Sequence, residues 1–282
     1  MTLVPDRLDS FWAFVQERDR VYVRRAVGQP APWTEDPVIR RYHFTNVHRR
    51  RDPGTEWIVA RLDGTWPERA VLQATAYRML NRVSTFEAAG LPELGDLDAW
   101  VDRVRALQRR GVPVGSARHM TFLGRTIRAL ETLVADPSIA ARAMEAQTGV
   151  EIAEVLADLP GVKGFFAVQI AADLMTAALP DRRAPYGSAS GLGVGARSAL
   201  RLMEGESVEV LRQTRIRRAL EDQTGLSLEE SLQLSVLILG QPKTLSEPLV
   251  CIDLEHSLCE WSRYVRLASG DYQWATRMER RA

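Results

Sequence analysis

Lysine is nearly missing: of 37 basic residues only Lys163 and Lys243 are lysines, and the rest are arginines. Cysteine is as scarce, with Cys251 and Cys259 alone, which excludes a disulfide scaffold and fits a reducing cytoplasm. No apolar run approaches the roughly 20 residues that cross a bilayer. Pro5, Asp6 and Asp9 stand where a signal peptide has its basic and apolar blocks. Net charge is slight, +1 from 37 basic and 36 acidic residues. With 26% charged and 45% hydrophobic residues, a disordered tail and a collagen-like repeat are excluded. A soluble, cytoplasmic, globular chain is expected, and 282 residues suffice for a large core.

The small net charge conceals segregation. Residues 101–130 hold seven arginines against one aspartate, a net of +6, and residues 261–282 a net of +3. Residues 221–256 carry seven acids and one lysine, a net of −6. Such clusters are solvated helix faces, or else arginine forks facing phosphates while acids line a pocket.

Apolar residues recur at helical spacing almost throughout, as in Val71, Leu72, Ala76, Met79, Leu80 and Val83. Asp36-Pro37 reads as a cap and first-turn proline opening a helix through Val47. Ser227 and Glu230 have capping-box spacing before a helix that ends at Leu239, ahead of Gly240-Gln241-Pro242. Leu249 to Leu267, after Pro248, is another long helix. Trp57 to Leu62 alternates like a strand, but no strand–helix alternation accompanies it. The expected fold is all-α, an orthogonal multi-helix bundle. Punctuation near 112–116 separates an N-terminal lobe, 1–115, from a C-terminal lobe, 116–282, within one compact unit. The Gly-, Ser- and Pro-rich stretch from Asp181 to Gly195 is the expected functional loop.

Leu159-Pro160-Gly161-Val162-Lys163-Gly164 joins two amphipathic stretches, within about residues 150–175. It reads as a tight turn between short helices, with glycines where the backbone bends or approaches a partner. The turn resembles the helix-hairpin-helix of DNA-repair glycosylases, with Lys163 in place of a glycine. That resemblance implies a DNA phosphate held by Gly161, Val162, Lys163 and Gly164. An ordinary αα-hairpin has the same pattern.

Further blocks are Pro32-Trp33-Thr34-Glu35-Asp36-Pro37, Phe44-Thr45-Asn46-Val47-His48-Arg49, Tyr77-Arg78-Met79-Leu80-Asn81-Arg82 and Asp253 to Tyr264. With Asp173-Leu174 and Gly193-Val194-Gly195-Ala196-Arg197 they resemble the α-glutamyl/putrescinyl thymine pyrophosphorylase family, over about Phe11 to Arg266. The resemblance implies an all-helical, DNA glycosylase-like fold and action on a modified pyrimidine in DNA. Some members of that family replace a pyrophosphoryl group on 5-hydroxymethyluracil with an amino acid or polyamine. Relatives remove modified bases from phage DNA as bacterial defence.

Asp253, Glu255, His256 and Glu260 concentrate proton-transfer groups on one helix. Glu255, Cys259 and Ser262 share one helical face, and Asp253, His256 and Glu260 an adjoining one. Salt bridges to Arg263 and Arg266 would give the same composition a structural meaning. Asp173, after the hairpin, is a further carboxylate for catalysis, or an arginine's partner; Asp181 is its rival by spacing. Trp33, Asn46 and His48, with His43, are the residue types that stack on and hydrogen-bond an extruded base, or serve as satisfied core residues. Arg49 and Arg197 are assigned to DNA with the hairpin. Cys251, His256 and Cys259 lack a partner pair for zinc, so no metal or cofactor is expected.

The expected activity is base flipping and excision of a hypermodified pyrimidine from double-stranded DNA by a monomeric, monofunctional glycosylase. A carboxylate would stabilise the oxocarbenium-like sugar. Lys163 lies within the turn, away from a Schiff-base position. A transferase that builds the modification, and a non-catalytic reader of modified DNA, are the alternatives. No membrane partner is expected.

Overall fold

The computed structural model describes residues 3–62, 66–116, 123–177, 192–211 and 227–270. Among them are fourteen α-helices and one 3-10 turn, with no strand, so the all-α expectation holds. No described helix is long and apolar enough to cross a membrane.

The described residues divide into two compact units. The first contains α1 (Pro5–Ala26), α2 (Pro37–Arg41), the 3-10 turn Arg49–Arg51, α11 (Val194–Met203), α12 (Val208–Leu211), α13 (Leu228–Leu239) and α14 (Cys251–Ala268). The second contains α3 (Pro53–Leu62), α4 (Pro67–Leu80), α5 (Val83–Ala89), α6 (Leu97–Arg109), α7 (Leu123–Ala135), α8 (Pro137–Glu145), α9 (Gly149–Leu156) and α10 (Gly164–Ala177). Residues 112–116, where punctuation marked a boundary, lie inside the second unit.

The first unit is organised around α14, which is buried from Ile252 to Leu258 and again from Glu260 to Ser262. A helix covered on all sides needs neighbours on all sides. Phe11 of α1 meets Trp261 edge-on at 5.9 Å, and α11 packs tightly along another side. That approach requires glycine: a Cβ at Gly195 would stand 2.3 Å from Cys259 Sγ. The capping box at α13 forms as expected, Ser227 Oγ accepting from the Glu230 N–H. Asp36 caps α2 through the Val38 and Ile39 N–H groups at 2.8 and 2.9 Å. That helix stops at Arg41, however, instead of reaching Val47. Phe44 and Val47 enter the core individually from non-helical chain, so their spacing was not a helical stripe.

In the second unit α4 is buried from Ala70 to Leu80 and packs against α3, α7, α8 and α10. Trp57 to Leu62 lies in α3, correcting the strand alternative; Pro53 opens this helix. Asn81 ends α4 in the left-handed region, a conformation asparagine tolerates. The α9–α10 turn buries Leu159 and Val162 while Gly161 and Lys163 are exposed. Gly161 has φ +78°, and a Cβ there would also lie 3.2 Å from the Arg125 Cβ.

Candidate active site

The polar centre of the first unit forms where residues 45–52 run along one face of α14. Asp253 sits in the first turn of that helix and its carboxylate is fully engaged. Its Oδ1 accepts the Arg49 backbone N–H at 2.7 Å, and its Oδ2 accepts the Val250 N–H at 3.3 Å. His48 Nδ1 lies 3.3 Å from the same Oδ2, and His48 Nε2 lies 3.9 Å from Asp19 on α1. Asp19 in turn accepts the Ser246 N–H and hydroxyl at 2.6 and 2.7 Å. Asp253 therefore anchors residues 48–49 and caps its own helix.

One turn along, His256 Nε2 stands 3.2 Å from Asp52 Oδ2. Asp52 also receives the Asn46 N–H at 2.9 Å and Arg49 Nη1 at 3.3 Å. Burial would raise the Asp52 pKa, but His256, Arg49 and the Asn46 N–H outweigh it and hold the carboxyl at about 2. The Asn46 amide is spent on the Arg51 carbonyl at 2.6 Å. A further turn on, Glu260 is paired with Arg263, whose guanidinium also reaches the His43 carbonyl.

The other face of α14 meets α11. Glu255 Oε1 accepts the Gly193 N–H at 3.2 Å, at the N-terminus of that helix. Burial pushes the Glu255 carboxyl pKa up, against the influence of His256 and the Gly193 N–H. Cys259, one turn on, has its thiol pushed up to about 12, by burial first and by Glu255 and Glu260 next. The two faces foreseen on this helix thus face different neighbours. One carries an ionised Asp52 beside His256, the other a Glu255 that favours its neutral form. Two carboxyls with opposite tendencies, beside adjoining faces of one helix, are the condition for separate base and acid roles.

The remaining sequence candidates lie elsewhere. Arg197 is buried and bound to Glu230 at 2.6 Å and to the Leu192 carbonyl, so it ties α11 to α13. Trp33 donates to the Gln29 carbonyl at 2.6 Å and lies beneath the Arg25 guanidinium. Asp173 belongs to the second unit, where Arg78 grips both of its oxygens. Thr55 accepts from the same guanidinium at 3.1 Å. Asp173 therefore has the partner that would make it structural. Asp181 lies outside the described residues. Gly161, Val162 and Lys163 lie in the turn between α9 and α10, and Gly164 is the first residue of α10. No three described His, Cys, Asp or Glu side chains are grouped to hold a metal ion.

Sequence reasoning passed over Asp52 as a site residue, along with Arg18 and Asp19. Arg18, on α1, is buried beside Thr45 and Asn46, and burial lowers its pKa to about 10. The available signal was two charged residues adjacent on the otherwise core-facing side of an amphipathic helix.

Comparison with known proteins bears on the chain as a whole. The model of a family described as "5-hmdU DNA kinase, helical domain" matches residues 6–273. A protein of Bacillus phage SP10 named 5-hmdU DNA kinase is 34% identical over 118 residues, 38% of this chain and 18% of that protein. The chain thus covers less than a fifth of that relative's length. The family matched is described by an enzyme of modified thymine in DNA, the broader class that the resemblance implied, and not by the pyrophosphorylase name. No solved structure matches.

Proposed function

The chain belongs to the 5-hmdU DNA kinase helical-domain family, and from that membership we propose that it acts on DNA containing 5-hydroxymethyl-deoxyuridine or a base made from it. The observation that carries the reading is the family match across residues 6–273, which takes in every element of the polar centre. Neither lysine lies in a Gly-x-x-x-x-Gly-Lys-Ser/Thr run: Lys163 follows Val162 and Lys243 follows Pro242. These 282 residues therefore carry no Walker-type run, which supports a role for this chain at the base.

The modified base would be extruded from the duplex and received by the first unit, since chemistry on a base requires unstacking it. At a 5-methylene carrying an oxygen leaving group, Glu255, its pKa raised by burial, would supply the departing oxygen with a proton from its protonated form. Asp52 orients His256 to accept one from an incoming amine. This assigns the chemistry to the 5-substituent, as in the transferase alternative. Excision by a glycosylase has no support from the family or from the phage relative, and a role in defence has none either. The hairpin 159–164 with exposed Arg125 beside it suits a sequence-independent phosphate contact.

The test is incubation of the protein with duplexes carrying thymine, 5-hydroxymethyluracil or 5-(phosphooxymethyl)uracil, with and without a polyamine, followed by mass spectrometry of the nucleosides. Binding that favours a modified duplex, with a mass change at the base, is expected. Abasic sites would establish excision instead, and equal binding to all three duplexes would overturn the reading.

A further inference from the structure

Arg18 is a buried cation with no carboxylate at ion-pair distance among the described residues, although Glu260 and Asp52 act on it through space. It is 4% exposed. Its Nε donates to the Thr45 carbonyl at 3.1 Å and its Nη2 to the Thr45 and Asn46 carbonyls, the latter at 3.0 Å. Nη1 is buried and has no acceptor among the described residues. The face of the guanidinium lies over Phe14, 5.0 Å from the ring centre. The acids of the neighbourhood are committed to others: Glu260 to Arg263, Asp52 to Arg49 and His256, Asp19 to the Ser246 N–H and hydroxyl. Carbonyls and a ring do not neutralise a guanidinium, and carboxylates committed to other cations offset the burial of its charge only in part. Arginine keeps its proton under such conditions and offers a rigid fork suited to phosphate.

We infer that Arg18, through its unpartnered Nη1, is the positioning residue for an anionic group on the base's 5-substituent, and so distinguishes a phosphorylated hydroxymethyl base from the uncharged one. This rests on the proposed function and adds the feature of the substrate that the first unit recognises. The carbonyls of Thr45 and Asn46 hold the fork by two of its nitrogens, so the third donor is oriented before the ligand arrives. Those carbonyls come from the strip of chain that also carries His48, Arg49 and Asp52.

The experiment measures affinity for two duplexes that differ at one base, 5-(phosphooxymethyl)uracil against 5-hydroxymethyluracil, with a thymine duplex as reference. The unaltered protein should prefer the phosphorylated duplex by about tenfold or more, the scale of one charged hydrogen bond. Arg18→Met should reduce that ratio below about twofold, and Arg18→Lys should leave it between the two. A folded Arg18→Met that weakens both duplexes equally, preserving the ratio, overturns the inference and places Arg18 in the scaffold. Should Arg18→Met fail to fold, inorganic pyrophosphate at constant ionic strength decides with the unaltered protein. Selective weakening of the phosphorylated duplex supports the inference; equal weakening or none overturns it. If both modified duplexes bind alike but better than thymine, the Arg18 inference falls while the proposed function stands. If neither is distinguished from thymine, the proposed function itself falls.

Discussion

Gly195 and Cys259 meet across α11 and α14 at a separation that admits no added carbon. A Cβ at 195 would lie 2.3 Å from the Cys259 Sγ, 3.2 Å from its Cβ and 3.3 Å from its Cα. The glycine therefore serves helix packing and sets the position of Gly193, whose N–H binds Glu255. Gly195→Ala should cost about 1–3 kcal/mol, the range for overpacking a close contact. Urea denaturation would show it as a lower midpoint at unchanged slope. Cys259→Ala in the same chain should restore part of the loss, because the sulfur is removed while the Cβ clash at 3.2 Å remains.

Asp173 is paired with Arg78 inside the second unit. Both partners are buried, and Arg78 also holds Thr55. Asp173→Asn leaves a buried guanidinium without its counter-ion and should destabilise the protein by about 3–5 kcal/mol. Calorimetric or chemical unfolding measures this directly. An Asp173→Asn protein as stable as the parent, yet inactive on modified DNA, would return Asp173 to the reaction.

Local signals were legible where neighbours in sequence are neighbours in space. Ser227 and Glu230 close their capping box, and on α14 Glu255 meets Gly193 while His256 meets Asp52. The end of α2 was not legible, because Tyr42, Phe44 and Val47 are apolar for the core whether or not the backbone between them is helical. The choice of polar partners was also hidden. Asp52 meets His256 and Asp253 meets Arg49 across some two hundred residues, and nothing local to either acid names its partner. Arg18 is distinguished only by its surroundings in space, where its buried Nη1 has no acceptor among the described residues. In the same way nothing local to Asp173 names Arg78, which meets both of its oxygens.

Glu255 should trade stability for function. Its folded pKa is raised by burial, so its neutral form is favoured on folding. A raised carboxyl contributes stability that is present below the unfolded pKa and lost as pH rises through the folded value. At neutral pH the residue is thus a burden, and Glu255→Gln, which stays neutral and can still accept from the Gly193 N–H, should melt higher than the parent at pH 7. The same change removes a transferable proton and should abolish turnover of a modified duplex. A lower melting temperature at pH 7 would show that Glu255 is ionised and stabilising there.

Asp52 has the opposite sign. Its folded pKa of about 2 lies below the ordinary 3.8, so it stabilises the ionised form of the site. That contribution is complete above about pH 4 and is lost as pH falls toward 2; the difference of nearly two units is worth about 2 kcal/mol. Asp52→Asn should therefore lower stability at pH 7 by about that amount, and its deficit should shrink as the two proteins are compared at pH 4, 3 and 2. Burial opposes ionisation, and His256, Arg49 and the Asn46 N–H overcome it. His256→Ala should consequently move the acid transition of the parent to higher pH, since it removes the largest of the three. An acid transition at the same pH with and without His256 would show that Asp52 and His256 are not coupled, and the acid–base assignment built on them would fall with it.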